Sequence, residues 1–83
     1  MSEVEERLRQ TIHDLLGARP PTSSICPSDA ARALDPERWR DLMEPTRRAA
    51  GRLAAEGRVR ITQRGAVVDV STVRGPIRIR LTR

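Results

Sequence analysis

The stretch PTRRAAGRLAAEGRVRITQRG, Pro45 to Gly65, changes its periodicity halfway along, and that change decides the fold. Before Gly57, the apolar residues Ala49, Ala50, Leu53 and Ala54 recur at the spacing of one helix face. After it, Val59 and Ile61 alternate with Arg58, Arg60 and Thr62, the period of a strand with one buried side. Arg64-Gly65 then marks a tight turn. A helix from Pro45 to Glu56, stopped by Gly57 and leading directly into a hairpin, is the expected structure.

The rest of the chain extends this pattern in both directions. Downstream, Ala66 to Asp69 reads as a second strand, Val70 to Gly75 as a loop, and Ile77, Ile79 and Leu81 alternate with Arg78 and Arg80 in a final strand. Upstream, Ser2 to Leu16 reads as an amphipathic helix with Val4, Leu8, Ile12, Leu15 and Leu16 on one face. Ser2 and Glu5 fit a capping box, Gly17 is a stop, and Pro20-Pro21 forbids continuation. Thr22 to Ile25 is an extended link or a single strand. Pro27 opens a second helix whose apolar side is Ala30, Ala31 and Leu34.

Asp35-Pro36 starts a third segment with Trp39, Leu42 and Met43 on one face, and Pro45 then begins a new helix rather than kinking an old one. Trp39, the only aromatic, sits on that apolar stripe and reads as a core anchor rather than a base-stacking residue. The fold class expected is α+β: three to four helices followed by a small antiparallel sheet, one domain over residues 1–83. That is the plan of a winged helix-turn-helix, with Pro45 to Glu56 as recognition helix. The wing is either the Arg64-Gly65 turn or the loop from Val70 to Pro76. One departure is the insertion of Asp35 to Glu44, where a simple helix-turn-helix has only three or four residues.

Ile25-Cys26-Pro27-Ser28-Asp29-Ala30-Ala31-Arg32, Trp39-Arg40-Asp41-Leu42-Met43 and Arg47-Arg48-Ala49-Ala50-Gly51-Arg52-Leu53-Ala54 resemble a bacterial family of small domains, DUF3253. Ile61-Thr62-Gln63-Arg64-Gly65 and Arg74-Gly75-Pro76-Ile77-Arg78 carry the resemblance through to about Leu81. It implies a winged-helix fold and brings no established activity.

All 16 basic residues are arginine, and they are unevenly placed. Residues 1–45 hold six of them against nine acids, while residues 46–83 hold ten against Glu56 and Asp69. Such asymmetry points to a polyanion partner for the second half. Arg47, Arg48 and Arg52 share the presumed recognition helix, and arginine both reads guanine and binds phosphate. The competing reading is ion pairing to the acidic N-terminal half. Arg58, Arg60, Arg78 and Arg80 take the outward positions of two strands, where crowded like charges repel unless an anion intervenes. Arg64 and Arg74, at turn and loop, are wing candidates for phosphate or minor groove.

Other chemistries lack residues. Cys26 and His13 form the only thiol-and-base pair and have no third group, so no enzyme is expected, and neither cofactor nor metal has a ligand set. The glycines match no phosphate-binding loop, and Gly51 inside a helix calls for close packing or close approach of a partner. No apolar run is long enough for a membrane, and the acidic start lacks the pattern of a secretory signal, so the cytoplasm is the expected compartment. The expected function is a non-catalytic duplex DNA-binding module of the kind a transcriptional regulator carries. The alternative is a winged-helix interaction domain whose partner is another protein or a second copy.

Overall fold

The computed structural model describes residues 2–82. Helix α1, Glu3–Gly17, begins where the Ser2 hydroxyl accepts the Glu5 amide at 3.1 Å, with acids filling its first turn. Strand β1, Ser24–Ile25, follows the proline break. Helix α2, Pro27–Leu34, starts with proline at its first position, while the Cys26 amide donates to Asp29 Oδ2 at 3.0 Å. A short 3-10 helix, Trp39–Leu42, runs directly into α3, Met43–Ala55. The sheet is completed by β2 (Val59–Gln63), β3 (Ala66–Val67) and β4 (Arg78–Leu81).

All pairings are antiparallel, in the order β1-β4-β2-β3. The last strand thus lies inside the sheet, with Ile79 opposite both Ile25 and Ile61. Arg64 and Gly65 both have positive φ, 52° and 85°, as a two-residue I′ hairpin turn requires. At the end of α3, Gly57 takes a φ of 76° and the Arg58 amide reaches back to the Leu53 carbonyl at 2.9 Å, closing the helix before the strand begins.

The three α-helices and the inward sheet face enclose an aliphatic core. Leu8, Ile12 and Leu16 come from α1, Ala49, Ala50 and Leu53 from α3, and Val59, Ile61, Ile77 and Ile79 from the second half. The expected α+β class with a small antiparallel sheet is the one observed, except that one strand, β1, joins the sheet from between α1 and α2 rather than after the helices.

Four details differ from the sequence expectation. Val4 is 40% exposed, and Glu5 takes the core-facing place in the first turn, because Glu5, Leu8, Ile12 and Leu16 are the residues in phase. Helix α3 starts at Met43, two residues before Pro45, since any residue of a first turn lacks an intrahelical N–H partner and proline fits there. The strand expected over Ala66 to Asp69 stops at Val67, where the Asp69 carboxylate takes the amide and hydroxyl of Ser71 and turns the chain.

Trp39 is the fourth. It is only half-buried and stands outside the core, with the guanidinium carbons of Arg32 and Arg40 over its ring at 4.2 and 4.5 Å from the centroid. A 3-10 turn keeps Trp39 and Leu42 in line, three residues apart, but carries Met43 off that face, so the three do not form one inward stripe.

Candidate nucleic-acid interface

The arginines picked out from the sequence fall into three groups. Those on α3 are held internally. Arg48 donates from Nε to Glu5 Oε1 at 2.6 Å and lies 3.4 Å from Glu44, while Arg52 Nε lies 3.4 Å from the other Glu5 oxygen. Arg47 donates to the Val73 and Gly75 carbonyls at 3.2 and 3.3 Å. Charge neutralisation by the N-terminal half therefore reaches α3, as one of the two sequence readings required. Both Arg48 and Arg52 nevertheless keep about half of their side-chain surface exposed, at 55% and 51%.

Glu5 is the residue that sequence reasoning missed. Its side chain is 8% exposed, and its apolar companions Leu8, Ile12 and Leu16 were the signal that it faces inward. The hydrogen bond from Arg48 holds its carboxyl below the usual range; burial pushes the other way and the charges of Arg48 and Arg52 add to the lowering. Glu56 is held down likewise by its hydrogen bond from Arg9, at 2.6 Å.

A lowered folded-state value means stability that is full above the unfolded value and lost as acid protonates the group. The thermal midpoint should therefore fall as pH drops below roughly 4.3, the ordinary glutamate value. Glu5→Gln should start lower at neutral pH and show a shallower acid decline. Parallel acid limbs in the two proteins would remove Glu5 from the account.

The second group lines the outward face of the sheet. Arg60 sits directly opposite Arg80, and Thr62 opposite Arg78. Arg58 pairs with Glu56 at 3.2 Å, but Arg60, Arg78 and Arg80 have no carboxylate within ion-pair distance among the described residues. Arg78 instead donates to the hydroxyl and carbonyl of Ser24, both at 2.9 Å. The third group, Arg64 and Arg74, stands exposed at the far end of the sheet, also without a carboxylate among the described residues.

The two wing candidates differ in placement. The Arg64-Gly65 turn closes the β2–β3 hairpin, whereas the loop after β3 folds back over α3 and packs Val68, Val70 and Val73 against the core. A Cβ on Gly51 would meet Val70 Cγ1 at 2.8 Å, so this helix glycine exists for close packing of the loop. Gly51→Ala gains about 1 kcal/mol of helix propensity but overpacks the contact at a cost of roughly 1–3 kcal/mol. Net destabilisation of about 1 kcal/mol is expected in urea unfolding. In a Val70→Ala background the same change should become stabilising, and the same sign in both backgrounds would rule the contact out as the cause.

Cys26 Sγ lies 3.1 Å from Ser28 Oγ, while His13 is exposed on α1 and no hydrogen bond joins the two. No helix of the described residues is long and apolar enough to cross a membrane. No curated protein matches the chain. A family model does, over residues 5–82, nearly the whole length and every element described above. The chain belongs to that family, DUF3253, whose description is protein of unknown function.

Proposed function

We propose that the chain is a non-catalytic winged-helix module that binds double-stranded DNA. The element order supports the winged reading: α3 leads into the β2–β3 hairpin, and β1, lying between α1 and α2, pairs with the returning strand β4. The observation that carries the polyanion reading is the outward sheet face. Arg60 and Arg80 oppose each other in adjacent strands with no acid in ion-pair reach among the described residues, a repulsive arrangement that a phosphate backbone relieves. Arg48 and Arg52 on α3, about half exposed and oriented by Glu5, are further cations available to the duplex.

The test is a duplex titration with Arg60→Ala/Arg80→Ala. Removing two like charges should leave stability unchanged or raise it by up to about 1 kcal/mol, while duplex affinity falls at least about tenfold. Undiminished affinity in the folded variant would clear the sheet face of any role.

A protein-interaction domain is the second reading, and the loop packed over Gly51 favours it. Val70 covers part of the α3 face that would otherwise enter a groove. This version expects a specific complex that survives nuclease treatment.

A further inference from the structure

We propose that the concavity at the hairpin end of the sheet is a site for a terminal phosphoryl group, a phosphomonoester dianion. This goes beyond duplex binding, because it asks only for the phosphoryl group and not for a double helix. The concavity, about 500 Å³, lies between the end of β2 and the loop before β4. Arg64, Arg74 and Arg78 line it together with Thr62, and no carboxylate does among the described residues. The larger groove beside α3 differs in this respect, since Glu44 and Asp69 line it and two of its arginines, Arg48 and Arg52, share Glu5.

Three arginines gathered around one concavity with no carboxylate among the described residues repel one another, and a dianion is the partner that balances them. A phosphomonoester carries close to two charges and three terminal oxygens, which suits several planar N–H forks better than a carboxylate with one charge and two oxygens. The site is also held in shape. The Gln63 carboxamide donates to the Arg74 carbonyl at 2.6 Å and the Pro76 carbonyl at 3.1 Å, tying the loop to the strand end. Gly75, with a φ of 91°, turns the loop back toward it. Arg78 at the start of β4 is held in place as well, donating from Nε and one terminal amino group to the hydroxyl and carbonyl of Ser24. Arg64 adopts a φ of 52°, a left-handed conformation that asparagine and glycine take more readily, so arginine is kept there against local preference.

Two sources supply the group: the 5′-phosphate of a nucleic acid end, or a small phosphorylated molecule. The full chain is titrated with inorganic phosphate and with adenosine 5′-monophosphate, followed by amide chemical shifts, against chloride at equal ionic strength. Saturable shifts confined to residues 62–65 and 74–78 are expected with the phosphates, and should vanish in Arg64→Asn/Arg74→Ala. Asparagine suits the turn and both side chains are exposed, so this variant should fold; Arg74→Ala alone, with shifts at least halved, is the second check. In parallel, one duplex is compared with 5′-phosphate and 5′-hydroxyl ends. An advantage of about tenfold for the phosphate, lost in the double variant, identifies the nucleic acid end as the source. Saturation by the small phosphates without any such advantage assigns the site to a small molecule and leaves the proposal standing, even if no duplex binds. If phosphate shifts those amides no more than chloride does, the proposal is overturned, whatever the duplexes do.

Discussion

Duplex affinity should fall roughly 500-fold between 50 and 200 mM salt, because about five phosphates are engaged and the logarithmic slope is about −0.9 per phosphate. The count comes from charge already spoken for. Among the nine arginines of the candidate interface, Arg48, Arg52 and Arg58 have carboxylate partners, beside which a cation releases little extra counterion on meeting DNA, and Arg47 is turned onto the Val73 and Gly75 carbonyls. Arg60, Arg64, Arg74, Arg78 and Arg80 have no carboxylate partner among the described residues, and these set the slope. Fluorescence anisotropy of a labelled duplex at several salt concentrations measures it. Arg60→Ala/Arg80→Ala should flatten the slope by about two. Affinity that ignores salt over this range would sink the DNA reading and turn the search toward protein partners.

Replacing Ile79 by alanine should cost about 3–4 kcal/mol, near the middle of the range for large-to-small changes at fully buried aliphatic sites. Ile79 is 0% exposed and faces an isoleucine on each side, so the space it leaves cannot be refilled from one neighbour without opening a gap at the other. A domain of this size has roughly 4–12 kcal/mol in all. The loss should lower the thermal midpoint by roughly 12–30 °C. Trp39→Ala should cost less, although it deletes the larger side chain, because Trp39 faces two guanidiniums rather than the core. A tryptophan variant weaker than the isoleucine one would show that composition outranks position here.

Much of this architecture was legible because its signals are local. The switch of period at Gly57, the proline at the start of α2 and the positive-φ pair Arg64-Gly65 each act within a few residues. What was hidden depends on contacts across the chain. Glu5 meets Arg48 only once α1 has docked on α3, 43 residues away, and Gly51 meets Val70 only once the loop has folded over the helix. Trp39 misled for a subtler reason, since its spacing to both Leu42 and Met43 suits an α-helix, while a 3-10 turn aligns only residues three apart. The candidate arginines were all visible, but their division into paired and unpaired was not, because Glu5, the acid that Arg48 and Arg52 share, lies on another element.

The position of β4 inside the sheet bears on how the protein is made. Of the elements described, β4 leaves the ribosome last, yet β1 and β2 both need it as their partner. While translation proceeds, β1 waits more than fifty residues for a neighbour, and the nascent chain holds only its helices and the short β2–β3 ribbon. The edge of β2 that β4 will pair stays open for that interval, within reach of chaperones or of another nascent copy. Closure then comes in one step, when Arg78 to Leu81 slots between two waiting edges and completes both pairings at once.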